Sequence, residues 1–408
     1  MKKIIDSLKY IKLKDLIAPF IFLLMLIPSL IFRLINKVKK RQLWLVCENG
    51  ETARDNGYHF YKYVRTNHKN DYCFYVIDKN KQDYKKVEKY GNIIQFKGLK
   101  HWLYYLAADY NISSQKNGNP NQPLFYVVHV SLNMFNNRVF LQHGVIKDMC
   151  DWLIYKNTKF KYFICGAKQE HKYVSEKYGY PTGSVIYTGL PRFDNLHNSK
   201  VNEKQILIMP TWRSWLGRET NDLTKKINFK DTDFYKNWNG LLNDKKFIDY
   251  IEKNNYTVLF YPHINMQKYL NEFEIKSNKI KLINTTTDIQ KVLKESALMI
   301  TDYSSVFMDF AYMEKPIIYF QFDYEEFRKK QYSEGYFDYK KNIFGKSIEN
   351  IDGVVKEIKK ISKDGIAKEN LNNMREFFEL KDKNNCKRIY ETIKENKWLL
   401  RRLYNWKC

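Results

Sequence analysis

The chain has 408 residues, 44% of them hydrophobic, with eight Trp, 32 Tyr and 26 Phe; that is apolar mass for a substantial core in two or three domains, and it excludes a disordered or low-complexity polymer. A formal charge of +25 points to anionic partners, whether phosphates, nucleic acid or an anionic membrane face, although 57 Lys against 13 Arg also suits a generic solvated lysine surface. Six cysteines, at 47, 73, 150, 165, 386 and 408, include no CxxC pair and no Cys/His cluster with zinc spacing, so the sequence predicts unpaired structural thiols in a reduced compartment.

From Leu16 to Phe32 the chain runs 17 residues without a charge, preceded by Lys2, Lys3, Lys9, Lys12 and Lys14 and followed by Arg33, Lys37, Lys39, Lys40 and Arg41. A spanning helix needs about 20 apolar residues, and Pro19 and Pro28 interrupt this run. The pattern predicts a short, kinked segment lying in the membrane interface. Its flanks would bind anionic cytoplasmic lipid at on the order of 1 kcal/mol per basic residue. No A-x-A cleavage site follows, which argues against a signal peptide.

Short apolar runs rich in β-branched and aromatic residues then alternate with longer polar stretches, the pattern of βαβ units and a parallel sheet. The first set is Leu43–Cys47, Tyr72–Ile77, Ile93–Phe96, Tyr110–Ser113, Val139–Leu141, Tyr162–Cys165 and Val185–Tyr187; the second is Ile206–Met209, Thr257–Tyr261, Ile280–Ile283, Leu298–Thr301 and Pro316–Phe320. The polar stretch 195–204 separates them. The expected fold is α/β, two Rossmann-like domains facing across a cleft. The expected layout is a membrane-associating segment over 1–41, a first Rossmann-like domain over 42–196, a second over 197–380 and a basic helix over 381–408. In that helix Ile389, Ile393, Leu400, Leu403 and Tyr404 have helical spacing, with Lys394, Arg401 and Arg402 beside them.

Ligands of open α/β sheets bind beyond the carboxyl ends of the strands, so polar residues just after predicted strands are the candidates. His143 follows one strand and precedes Gly144; an imidazole there can take the proton of an attacking hydroxyl, or be an ordinary hydrogen-bonded histidine. Lys147 is either a phosphate contact or a surface lysine. Thr211 and Arg213 follow a second strand, and Arg213 and Arg192 stand in turns suited to gripping phosphate, with ion pairing as the alternative. His263 follows a third strand. After a fourth, Asp302 leads to Ser304 and Ser305, where a helix is predicted to begin; its amides and the two hydroxyls would seat a phosphate, or the serines are simple caps. Asp309 either orients neighbours or merely sits on that helix.

These residues resemble the CDP-glycerol glycerophosphotransferase family. The motifs are Glu48 with Asp55-Asn56-Gly57, His143-Gly144 with Lys147, Gly189-Leu190-Pro191-Arg192-Phe193-Asp194, Pro210-Thr211-Trp212-Arg213, Pro262-His263, and Thr301-Asp302-Tyr303-Ser304-Ser305 through Asp309, spread over roughly 43–330. The resemblance implies a GT-B-like fold, monotopic attachment to the cytoplasmic face of the cell membrane, and catalysis by His143 and His263. It implies donor-phosphate contacts from His263, Thr211, Arg213, Ser304 and Ser305, with Lys147, Arg192, Asp302 and Asp309 as further substrate-binding candidates. Family polymerases commonly carry Thr-Pro between the histidine-glycine pair and the lysine; this chain has Val145-Ile146.

The implied reaction moves glycerol phosphate, or another polyol phosphate such as ribitol phosphate, from a CDP-polyol to a polyprenyl-linked glycan of teichoic acid or capsule synthesis, releasing CMP. No carboxylate cluster demands a metal, and any Mg²⁺ would ride on the donor pyrophosphate. Expected partners are the CDP-polyol, the lipid-linked acceptor, anionic lipid and a second copy of the chain. Nucleic acid is not among them, for no RRM, KH or zinc-finger pattern occurs. The rival enzyme reading is a GT-B nucleotide-sugar glycosyltransferase, since architecture alone supports several transfers.

Overall fold

The computed structural model describes residues 13–197, 200–217, 228–341 and 344–395. Among them the chain folds as two compact units, each built on one wholly parallel sheet. The first unit runs to Val145 and adds Asp151–Asn195 and the chain from Leu380; the second comprises Ile146–Cys150 and Leu196–Glu379.

The first sheet contains β1 (Trp44–Cys47), β2 (Cys73–Ile77), β3 (Ile93–Gln95), β4 (Tyr110–Ser113), β5 (Arg138–Phe140), β6 (Tyr162–Cys165) and β7 (Val185–Tyr187), in the order β3-β2-β1-β4-β5-β6-β7. The second contains β8 (Asn202–Met209), β9 (Thr257–Phe260), β10 (Ile280–Leu282), β11 (Ser296–Thr301), β12 (Ile317–Phe320) and β13 (Gly345–Ile348), in the order β10-β9-β8-β11-β12-β13. Runs such as CFYVI, YFIC and IIYF are buried at every position, as parallel strands covered on both faces must be. Strand order reverses at β1 in one sheet and at β8 in the other, so each unit has a doubly wound switch point.

All twelve predicted strands are present. The thirteenth, β13, was not expected: GKSI carries one strongly apolar residue, and an edge strand needs little more. The stretch expected to be a linker is partly strand, since β8 begins at Asn202 with three exposed residues; positions 198 and 199 lie outside the described residues. At the carboxyl end, helix Asn385–Lys394 belongs to the first unit, where Ile389 and Ile393 are fully buried with Trp44 and Phe60. Leu400, Arg401, Arg402, Leu403 and Tyr404 lie outside the described residues, as do Lys2, Lys3, Lys9 and Lys12. Cys47, Cys73, Cys165 and Cys386 form no disulfide.

The apolar segment is one helix, Leu13–Val38, about 39 Å long at 1.5 Å per residue, and it runs through both prolines. This corrects the length read from the sequence: the helix extends well beyond the 17-residue apolar run. Each proline removes one backbone donor, and the intact turns on either side carry the helix across the gap. By length and composition it could cross a membrane. One face is occupied: Ala18 and Ser29 are buried, and Ile21, Phe22, Met25 and Phe32 pack on the core of Trp102, Tyr105 and Phe125. The opposite face, from Leu16, Phe20 and Leu24 to Ile27, Ile31 and Leu34, is exposed.

Candidate active site

Three loops at the carboxyl edge of the first sheet are tied together by buried polar side chains. Glu48, directly after β1, accepts from the amides of Arg54 (3.1 Å), Asp55 (2.8 Å) and Tyr58 (3.0 Å) and from the Thr52 hydroxyl (3.1 Å), which fixes the turn into helix Asn56–Asn67. At Gly57 a Cβ would sit 3.0 Å from the Glu48 side chain, so a larger residue would press on the carboxylate that fixes the turn. Asp55 caps the helix through Asn56 N (2.8 Å). Asn56 donates to the Gln142 carbonyl at 2.9 Å and accepts from Arg192 N at 3.0 Å, linking the loops after β1, β5 and β7.

This frame positions His143. Gln142, in the left-handed region at φ 63°, turns the chain after β5. His143 Nδ1 then lies 2.5 Å from Asp55 Oδ2, while its side chain is 75% exposed. Asp55 as acceptor fixes the tautomer with hydrogen on Nδ1, leaving Nε2 as an outward-facing proton acceptor. Arg192 Nη1 meets the other carboxylate oxygen at 3.0 Å and also donates to the His143 carbonyl. The Asp55 charge and its hydrogen bond raise the His143 pKa above the ordinary imidazole value. Burial would raise Asp55, but His143 and Arg192 outweigh it and hold its carboxyl below the usual range. Arg192 is therefore engaged in holding the Asp55–His143 pair, the ion-pairing alternative for that residue.

In the second unit, Thr211, His263 and the Ser304-Ser305 pair follow β8, β9 and β11, three neighbouring strands around the switch point. The His263 ring lies 6.0 Å from Trp212 at 24°, and its Nδ1 accepts from Asn265 N at 3.2 Å. Thr211 is buried, and its side chain is a hydrogen-bond partner of the Asp302 carboxylate. Ser304 and Ser305 are half-buried, and the helix starts at Phe307, later than predicted. Their carbonyls accept from Phe307 N (3.3 Å) and Met308 N (3.0 Å), so a tight turn precedes the helix. Asp309 is buried on that short helix.

Two predicted phosphate contacts have other work. Arg213 has no exposed surface: it pairs with Asp323 through Nε (2.7 Å) and Nη2 (2.9 Å), lies 2.9 Å from Asp302 Oδ2, and is flanked by the rings of Tyr303 and Phe327. Burial would lower its pKa, and the two carboxylates keep it above its ordinary value. Asp302 also accepts from Thr211 N at 2.8 Å and Tyr303 N at 2.6 Å, so the pair builds the loops after β8 and β11. Lys147, expected in the first domain, groups with the second unit, where it is buried against Asp148 and 5.6 Å from the Tyr339 ring centroid; Arg328 holds the same carboxylate at 2.6 Å. Burial lowers the Lys147 pKa against that pairing. Among the described residues no group of three or more His, Cys, Asp or Glu side chains forms a metal cage.

The pattern of CDP-Glycerol:Poly(glycerophosphate) glycerophosphotransferases matches residues 29–395. The chain belongs to this family. It is 32% identical over 380 residues to the minor teichoic acid biosynthesis protein GgaB of Bacillus subtilis (strain 168), an alignment covering 90% of this chain and 42% of that relative. It is 25% identical to the teichoic acid poly(glycerol phosphate) polymerase of Bacillus spizizenii, over 83% of this chain and 88% of the relative. The wall teichoic acid polymerase TagF has the same fold, with a TM-score of 0.64 at 16% identity over 90% of this chain and 96% of TagF. A UDP-GlcNAc 2-epimerase from Methanocaldococcus jannaschii, at TM-score 0.50 and 12% identity over 86% of this chain and 99% of that one, shares the architecture, so fold alone does not select the chemistry.

Sequence reasoning assigned no role to Asp55 or Asp323. Asp55 was legible as a cap before Asn-Gly, but its reach to His143 is a tertiary fact. Asp323 lies three residues beyond β12, where the search after strand ends would have found it.

Proposed function

We propose that the chain transfers a polyol phosphate, glycerol phosphate first among the candidates, from a CDP-polyol to a lipid-linked envelope glycan, with His143 as general base. The observation that carries this is the exposed His143 ring held by Asp55 at 2.5 Å within a chain of this family. Nε2 takes the proton of the acceptor hydroxyl as its oxygen bonds to the β-phosphorus. The bond from that phosphorus to the CMP oxygen breaks, and CMP leaves with the electron pair. Thr211, His263 and the Ser304-Ser305 turn are the donor-side candidates, gathered after three neighbouring strands at the switch point. A TagF variant was solved after soaking with CDPG, which supports the donor class. Arg213, Arg192 and Lys147 maintain the frame rather than touch substrate. The exposed face of helix Leu13–Val38 attaches the chain to the cytoplasmic face of the membrane.

The test is mass analysis of products from CDP-glycerol, CDP-ribitol and a lipid-linked disaccharide. The expected product is heavier by one polyol phosphate, with one CMP released, and His143→Ala abolishes it while CDP-polyol binding persists. Full transfer by that variant would refute the assignment. Growth of the acceptor by a sugar when a nucleotide sugar replaces the CDP-polyols, with release of a nucleoside diphosphate, would favour the glycosyltransferase reading.

A further inference from the structure

The first unit holds a cavity of about 500 Å³ that the chemistry above leaves unused. Its wall includes Asn49 and Glu51 after β1 and Asn117 and Asn119 after β4. These strands are neighbours at the point where the sheet order reverses, the crevice where doubly wound sheets bind ligands. Another wall is the membrane-type helix itself, at Asp15, Ala18 and Ile21. The same two turns present Leu16, Ile17 and Phe20 outward, each more than half exposed.

The lining discriminates between ligands. Asn49, Asn117 and Asn119 offer neutral donors and acceptors, and Phe96 and Trp102 offer ring surface, a combination suited to the hydroxyls and C–H faces of a sugar. Among the described lining residues two carboxylates, Glu51 and Asp15, stand against one cation, Lys97, and Glu51 also pairs with Lys81 at 3.3 Å, so the wall has no cationic excess to draw a polyphosphate. Asn119, 5% exposed, donates its Nδ2 to Gln122 Oε1 at 2.9 Å, which holds that part of the wall in place.

We infer that this cavity seats the saccharide headgroup of a membrane lipid, with the lipid chain lying along the exposed face of helix Leu13–Val38. The proposed function enters only in naming that glycolipid as the acceptor. Binding of the full chain to phosphatidylglycerol vesicles, plain or doped with glycolipids bearing a hexose or an N-acetylhexosamine disaccharide, tests the inference. At least one doped vesicle binds more tightly than the plain one. Asn117→Trp, at an exposed rim position, blocks the mouth without touching the buried bonds and abolishes the gain, with an unchanged melting temperature as the check on folding. Equal binding to plain and doped vesicles would overturn the site. Equal competition by the free disaccharide and the glycolipid would overturn the lipid part. CMP release from CDP-glycerol is followed in parallel: gain without transfer sinks the proposed function and leaves the cavity, and transfer without gain does the reverse.

Discussion

At the residue scale the decisive pair is Asp55 and His143. The carboxylate holds the ring as the Nδ1–H tautomer and raises its pKa, so the acid limb of the rate profile should lie above the ordinary histidine value. Asp55→Asn removes the charge and permits the other tautomer. Turnover should fall roughly 10²- to 10⁴-fold while the acid limb moves to lower pH; a loss of rate with no movement of that limb would mean Asp55 merely caps its helix. Arg213 makes the opposite prediction. Removing it as Arg213→Ala leaves Asp302 and Asp323 as buried charges without their cation, destabilising the second unit by roughly 3–5 kcal/mol. Burial already raises the Asp302 carboxyl against the pull of Arg213, and losing the arginine raises it further, so the penalty accumulates above its unfolded value of about 4 and fades below it. Melting of variant and parent at pH 7 and pH 4 should show the gap narrowing on acidification. A gap of equal size at both would assign Arg213 a packing role alone. The sequence offered the right residue types here and the wrong partners. It shows an arginine after a strand, but whether phosphate or aspartate meets it depends on Asp323, 110 positions along the chain.

At the scale of elements, the buried strands were legible because both faces of a parallel strand are apolar, and β13 was not because an edge strand can be polar. Helix Leu13–Val38 was legible in composition but not in extent, since propensity weighs Pro19 and Pro28 more heavily than the packing around them does. That packing changes which experiment is informative. Deleting the helix also strips cover from Trp102 and Phe125, so loss of membrane binding after truncation would be confounded with exposure of the core. Changing Phe20, Leu24 and Ile27 to Lys acts on the exposed face alone. Each such side chain contributes roughly 1.5–3 kcal/mol when buried in an apolar phase, so vesicle partitioning should drop by about two orders of magnitude or more. Thermal stability should not change. Undiminished vesicle binding by the triple variant would exclude this face as the attachment surface.

For the whole molecule, the two sheets repeat one design, with functional loops at the carboxyl ends of strands around a switch point, and the excess charge lies on top of that design. A charge of +25 carried mostly by lysine gives a diffuse attraction that salt screens, because the Debye length falls from about 10 Å at 0.1 M to about 3 Å at 1 M. The apolar helix face gives an attraction that salt does not weaken. The two contributions separate in a vesicle titration. On phosphatidylglycerol, binding should weaken as sodium chloride rises and then level off at the affinity measured on neutral phosphatidylcholine, where salt has little effect. Complete release from phosphatidylglycerol at 1 M salt would assign attachment to charge alone and leave the exposed leucines and isoleucines of Leu13–Val38 without that role. A flat response on both lipids would mean that the lysines are a solubilising surface, and that the excess over arginine carries no information about the membrane.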